Sequence, residues 1–227
     1  MEGYNLLAPK FDYTPFRTPD SLLNRVVEVV AEQGLFGKAL DVCCGTGAAA
    51  RAFRPAVKEE VVGVDISPGM LAEATRLSLT DGPGVPVRYE YGDACALQYS
   101  ELFDLAFSFG AFGHILEHDQ ARFVQGIYRA LKPGGRFVFV TGTMPSVTSP
   151  IWWMARSYNA ATHLRNALIN PPFIMFYLHF TWPKVRPVFE AAGFSVNVRE
   201  NLFDAPFKRA LLIEATRPHG PESASIS

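Results

Sequence analysis

Asp41-Val-Cys-Cys-Gly45-Thr-Gly47-Ala-Ala-Ala50 decides the fold. The residues ahead of it, Lys38-Ala-Leu-Asp-Val-Cys43, read as a short buried strand, and a helical pattern opens behind it. Strand, glycine turn and helix in that order give such a turn chemical meaning. Glycines at 45 and 47 have no Cβ, so the backbone there can approach a ligand closely. The first amides of the helix can receive a carboxylate or a phosphate.

Working outward, the same alternation recurs. Glu60–Asp65, Val85–Tyr91, Phe103–Ser108 and Gly135–Thr141 are further apolar runs of strand length. Strands apolar on both faces belong in a parallel sheet covered by helices. Leu22, Leu23, Val26, Val27 and Val30 form a helical stripe, with Thr18 expected as its cap and Pro19 as its first residue. Ser67-Pro68 opens another helix, with Met70, Leu71 and Ala74 inward, and Phe123, Val124, Ile127, Tyr128 and Leu131 mark a third that stops at Pro133-Gly-Gly135. The expected fold class is α/β, a doubly wound, mostly parallel, seven-stranded sheet of Rossmann-like type.

After Thr141 the alternation breaks. Residues 143–182 hold all three tryptophans with Tyr158, Phe173, Phe176, Tyr177 and Phe180, and Pro171-Pro172 divides them into a helix over 151–169 and an apolar second piece. A helix over 184–192 ending at Gly193 and strands over 194–199 and 209–216 follow, the last two joined closely enough for an antiparallel pair. One domain over residues 1–217 is expected, with 143–182 as a helical insert and 218–227 as a frayed polar tail.

Composition narrows the function. Hydrophobic residues at 48% and charged residues at 19% describe a globular chain with ample core. A net charge of -1 argues against a phosphate-neutralising, nucleic-acid-binding surface. Three cysteines, Cys43, Cys44 and Cys95, make no disulfide framework and point to a reducing compartment. No signal peptide and no apolar run of spanning length is visible, so a cytoplasmic chain without a membrane span is expected.

The glycine turn alone leaves its ligand open. Gly45-x-Gly47-x-x-Ala50 also satisfies the dinucleotide fingerprint, with Asp65 eighteen residues past Gly47 where a carboxylate can hold ribose hydroxyls. Three further features favour a nucleoside joined to an amino acid. Asp41 would repel a pyrophosphate but could pair with an ammonium. Asp93, after the third strand, can accept from an adenine amino group, and Ala130-Leu-Lys-Pro-Gly-Gly135 leads into the fifth strand.

With these motifs in order over residues 35–142, the sequence resembles the class I S-adenosylmethionine-dependent methyltransferases. The matching stretches are Ala39–Gly47, Val62–Leu71, Gly92–Ala94 and Leu131–Gly135, and the closing strand pair is similar to the family's reversed last hairpin. The resemblance implies S-adenosyl-L-methionine as cofactor. It places Asp41, Cys43, Gly45, Thr46 and Gly47 at its methionine end, Asp65 at the ribose, and Ile66 and Met70 on the adenine. Asp93 and Ala94 would read the adenine amino edge, and Ser108, Phe109 and Gly110 would line the methionine side near the sulfonium. Cys43-Cys44 departs from the small or glycine residues usual in the family and is read as packing, with no metal site.

Methyl transfer asks mainly for alignment and exclusion of water, and a hydroxyl acceptor also needs a base. His114, on the loop after the fourth strand, is the candidate catalytic base or acceptor-orienting group, against a cap or backbone-bonding role. Tyr13 and Arg17, in the aromatic-rich segment before the first long helix, are candidate cofactor contacts, although Arg17 equally suits the surface. His118, His163, His179 and His219 show no ligand spacing. The aromatic insert reads as a lid over an apolar or planar acceptor, an extra helical layer, or a dimer interface. The reading is methyl transfer to a small acceptor at an oxygen, nitrogen or carbon atom, by a monomer or homodimer. A nicotinamide-dependent oxidoreductase on the same turn, which would lack a recognisable Tyr-x-x-x-Lys pair, and a non-catalytic cofactor-binding module are the alternatives.

Overall fold

A computed structural model describes residues 2–14, 16–170 and 174–220. Its centre is one seven-stranded sheet: β1 (Phe36–Val42), β2 (Val57–Asp65), β3 (Val87–Tyr91), β4 (Phe103–Ser108), β5 (Leu131–Gly142), β6 (Ser195–Arg199) and β7 (Ala210–Thr216). The spatial order is β3-β2-β1-β4-β5-β7-β6, parallel except for β7, which runs antiparallel to both its neighbours. The order reverses between β1 and β4, and in such sheets ligands bind beyond the carboxyl ends of the strands at that point.

The helices are α1 (Glu2–Leu7), α2 (Asp20–Ala31), α3 (Ala48–Ala52), α4 (Pro68–Ser78), α5 (Gln120–Ala130), α6 (Pro150–Leu168) and α7 (Arg186–Ala192). They bury the two faces of the sheet in separate cores. On one face Leu23, Val26 and Val30 of α2 and Ala50 of α3 meet Ala39, Leu105 and Phe107. On the other Phe123, Val124 and Ile127 of α5 and Phe189 of α7 meet Leu40, Val42, Phe137 and Phe139. Each buried large side chain contributes about 1.5–3 kcal/mol.

Local chemistry sets the helix starts. The Ser67 hydroxyl accepts from the Met70 amide at 3.2 Å, and Ser149 does the same for Ile151 at 3.3 Å. For α2 the expectation shifts by one residue: Pro19 is the N-cap, in extended backbone, and Thr18 makes no cap bond to the helix. The Pro19 carbonyl accepts from Leu22 N and Leu23 N at 3.1 Å, and at the N-cap the N–H that proline lacks has no helical partner to lose. Gly193 ends α7 at φ +97°, as a left-handed cap.

The 143–182 insert divides into two parts with different roles. Phe176, Phe180 and Trp182 are buried, and Phe180 stacks on Phe112 with centroids 4.3 Å apart. Trp182 N–H donates to Gly142 O at 2.9 Å, which fastens the returning chain to the end of β5. The Asn159 amide ties α6 to this segment, donating to Tyr177 O and accepting from Tyr177 N, both at 2.9 Å. The Pro171-Pro172 break and most of the 218–227 tail lie outside the described residues.

Candidate functional site

Between β1 and α3 the backbone turns through three left-handed residues, Cys43 (φ +60°), Gly45 (φ +53°) and Gly47 (φ +76°). Gly47 is required twice over. Its φ favours glycine, and a Cβ there would lie 2.2 Å from the Tyr89 hydroxyl of β3. A Cβ on Gly45 would meet nothing within 4 Å, so that side of the turn is free for close approach.

Asp65, at the end of β2, braces this turn. Its Oδ2 accepts from Gly45 N at 2.9 Å and its Oδ1 from Ser67 N at 2.8 Å. Both oxygens are thus engaged by the backbone, each keeping a second lone pair for a hydroxyl donor. Burial raises its pKa, opposed by those amides.

Asp41 is different. It is 1% exposed, beneath the turn and paired in register with Gly63 and Phe107. The amide of Ala50 faces it, yet Oδ2 is enclosed and has no hydrogen-bond partner. Burial pushes its pKa well above the usual carboxylate range. A buried acceptor without a donor is costly, so the position asks for a donor, preferably a cation.

Asp93 follows β3 as the cap of a short turn, with Oδ1 accepting from Cys95 N at 2.8 Å; its side chain is exposed. Ala94 behind it is buried, Ile66 is 38% exposed, and Met70, in the first turn of α4, is buried. At the end of β4 the side chains turn away from the strand end. The Ser108 hydroxyl donates to Val42 O at 2.7 Å, and Phe109 packs on Phe53 at 5.9 Å, so these two present only backbone, ahead of Gly110 at φ +79°. The Thr46 hydroxyl donates to Asp12 at 2.5 Å. Burial raises the pKa of Cys43 and Cys44 well above the thiol range and that of Cys95 to about 11, so all three are neutral thiols near pH 7.

The N-terminal segment lies across these strand ends through side chains that composition and spacing do not single out. Asn5 Oδ1 accepts from Ser67 Oγ at 2.7 Å and from Gly69 N at 3.0 Å. Asp12 joins Thr46 and lies 3.7 Å from Arg17 and 3.9 Å from Arg51. Tyr4 Oη lies 3.0 Å from His114 Nε2. Of the two residues expected in this segment, Arg17 pairs with Asp12 and Asp20, whereas Tyr13 is 91% exposed and turns to solvent. The aromatic cluster Phe11-Asp-Tyr13 signalled the segment, but the contacts pass to its polar residues.

His114 joins three parts of the chain. Its Nδ1 is in a short contact with Ile174 O, which can only accept, so Nδ1 carries the proton. Burial lowers its pKa, leaving a neutral ring whose Nε2 lone pair accepts from Tyr4. Tyr4, its own pKa raised by burial to about 12, keeps the proton it donates. A base role for His114 thus has one open lone pair, and Tyr4 occupies it. No helix among the described residues is long and apolar enough to cross a membrane.

Comparison with known proteins finds similarity in sequence over part of the chain and in fold over most of it. Residues 39–135 fit a methyltransferase-domain family model. The chain is 34% identical over 113 residues to the demethylmenaquinone methyltransferase of Shouchella clausii, covering 48% of this chain and 46% of that one. It is 29% identical over 111 residues to the chloroplastic tocopherol O-methyltransferase of Arabidopsis thaliana, covering 48% and 31%. Its fold superposes on magnesium protoporphyrin IX methyltransferase of Synechocystis with bound SAH at a TM-score of 0.63 and 17% identity, covering 86% of this chain and 82% of that one. Residues 39–135 are thus similar to a methyltransferase domain, and most of the chain shares the fold of solved methyltransferases. The match spans less than half the length of the two curated relatives named above.

The methyltransferase cofactor, S-adenosylmethionine, fits the residues present. Its ammonium would supply the donor that Asp41 Oδ2 lacks, its ribose hydroxyls would match the spare lone pairs of Asp65, and the open side of Gly45 would allow close packing. A pyrophosphate would bring a second negative charge to Asp41.

Proposed function

We propose that this methyltransferase transfers a methyl group from S-adenosylmethionine to a small, apolar, hydroxyl-bearing aromatic acceptor of the hydroquinone type. The observation that carries the cofactor assignment is the enclosed, unpartnered Oδ2 of Asp41 beneath the glycine turn. Support for the acceptor class comes from relatives named for menaquinone and tocopherol methylation, and from the aromatic insert beside the crevice.

In this reading Asp41 and the 43–47 turn hold the methionine end and Asp65 the ribose. Ile66 and Ala94 border the adenine, and the exposed oxygen of Asp93 accepts from its amino group. The cofactor supplies an electrophilic methyl on a sulfonium. His114, with Nδ1–H fixed on Ile174 O, offers Nε2 to a ring hydroxyl of the acceptor once Tyr4 yields that position. Removing that proton raises electron density on the ring oxygen and on the carbons ortho and para to it, so one base serves oxygen or carbon methylation. The N-terminal segment excludes water by closing over the strand ends.

Calorimetry with S-adenosylmethionine against NADH separates methyl transfer from hydride transfer. Tight binding of the first and none of the second is expected. Labelled methyl transfer to hydroquinones of graded tail length then tests the acceptor class. Binding without transfer to any of them would overturn it.

A further inference from the structure

The outward face of α6 is apolar where a surface helix normally carries charge. Trp153, Met154, Leu164 and Leu168 are 59, 67, 64 and 76% exposed. At about 100° per residue they fall on one arc of roughly a third of the helix circumference. Ser157 and Ala161 lie between them, and no charged residue interrupts the arc. The opposite arc, with Ala155, Asn159 and Thr162, is buried against the protein. Two polar residues, Asn159 and Thr162, are thus buried while four large apolar side chains face the surroundings, against the usual amphipathic arrangement.

Charge chooses the occupant. From Gln120 to Phe189, seventy residues, the sequence contains no Asp or Glu and eight Lys or Arg. Arg122, Lys132, Lys184 and Arg186 pair with acids outside that stretch. Arg156 and Arg165 are the cations on α6, and Arg156 lies 5.5 Å over the Trp152 ring. A second copy docking through this face would bring the same cations together with no acid on the helix to receive them. Exposed Trp, Leu and Met bordered by arginine instead complement an interface of acyl chains and anionic headgroups.

We propose that the outward face of α6 docks the protein on an anionic lipid bilayer. The docked face stands beside the crevice. Tyr158 of α6 rests against Tyr177 with centroids 4.9 Å apart, on the segment that carries Ile174 and holds His114. Docking would bring the crevice to the layer in which a lipid-soluble acceptor dissolves. That clause alone rests on the proposed acceptor; the docking itself does not.

The test is co-sedimentation of the full chain with phosphatidylcholine vesicles and with vesicles in which about a third of the lipid is phosphatidylglycerol, at low and high salt. Binding to the anionic vesicles at least tenfold tighter, and weakened by salt, is expected. Trp153→Ser combined with Leu164→Ser, and separately Arg156→Glu, should each reduce it tenfold or more while calorimetric binding of S-adenosylmethionine stays unchanged. Brominated acyl chains should quench tryptophan fluorescence in the parent protein and much less in Trp153→Phe. The proposal is overturned by equal affinity for both vesicle types or by binding that ignores the α6 variants. It is equally overturned by a solution dimer that Trp153→Ser dissociates, since the face would then serve a second copy. Vesicle binding is read without acceptor or turnover, so its failure leaves the methyl-transfer reading standing, and the reverse also holds.

Discussion

Asp65, at the carboxyl end of β2, and His114, beyond that of β4, are held in opposite ways. Asp65 is fixed by the backbone amides of Gly45 and Ser67, groups set by the strand ends themselves. His114 is fixed by Tyr4, 110 positions away in sequence, and by the carbonyl of Ile174 on the insert. The floor of the crevice is therefore built by the sheet, while its cover is an agreement among side chains on separate segments. A backbone-built floor is pre-organised and intolerant of change. A cover closed by a few side-chain bonds, each contributing about 0.5–1.5 kcal/mol, can open and close in use.

The sharpest way to break the floor is Gly47→Ala. The added methyl meets the Tyr89 hydroxyl, and the left-handed backbone is strained for alanine. Overpacking costs about 1–3 kcal/mol and the backbone about 1–2 kcal/mol, so urea unfolding should show a loss of about 2–5 kcal/mol. Cofactor binding should vanish with it. Ala161→Val on the exposed face of α6 is the matched control, with an expected change below about 0.5 kcal/mol.

Asp41→Asn separates function from stability within the floor. Losing a charged partner for the ammonium should weaken S-adenosylmethionine binding by about thirty- to a hundredfold. The free protein should respond the other way. Burial raises the folded pKa of Asp41 above its unfolded value. Its stabilising effect is then complete below the ordinary carboxylate range near pH 4 and lost as pH rises through the folded value. At pH 8 the Asn variant should therefore be at least as stable as the parent. In the parent, cofactor binding should release a proton, measurable by calorimetry in buffers of different ionisation enthalpy. A weaker cofactor affinity with no change in proton release would remove Asp41 from the ammonium site.

The same division explains what the sequence made legible. Strand–turn–helix order, glycine spacing and an acid at a strand end are local patterns, and they locate β1, the turn, Asp65 and the reversed final pair. Side-chain direction at a strand end is not local: Ser108 and Phe109 lie in the expected segment, yet Val42 O and the Phe53 ring draw them away. The bonds from Tyr4 to His114, Asn5 to Ser67 and Asp12 to Thr46 span 34 to 110 positions and follow no period, so no spacing rule could find them. The insert reads as uniformly aromatic, but its two halves part only when Trp182 docks on β5 and α6 is left outside.

On the cover, Tyr4→Phe removes the hydroxyl that meets His114. Hydrogen exchange in α1 should accelerate by about threefold to tenfold, the equivalent of roughly 1 kcal/mol, with little change in global unfolding. His114 gives the matching pH test. Its folded pKa is lowered, so its contribution to stability is present above the unfolded value near 6.5 and lost as pH falls toward the folded value. His114→Gln should flatten that part of the stability profile. It should also remove the ascending acidic limb of the rate profile if Nε2 takes the acceptor proton.

Cys43 offers the smallest effect and refines the idea of a rigid floor. It holds φ +60° where glycine is at ease, a conformation costing a side-chain-bearing residue about 1–2 kcal/mol. Cys43→Gly relieves that strain but widens the unfolded ensemble by about 0.5–1 kcal/mol and gives up the thiol's packing against the core. The expected net change lies within about 1 kcal/mol of zero. Cys43→Val, branched at Cβ, keeps the strain and adds crowding, and should lose about 1–3 kcal/mol by urea unfolding. Equal losses for the two would mean that thiol packing governs this position. A loss confined to Val would mean that backbone conformation does, and that the turn holds its shape through φ rather than through its side chains.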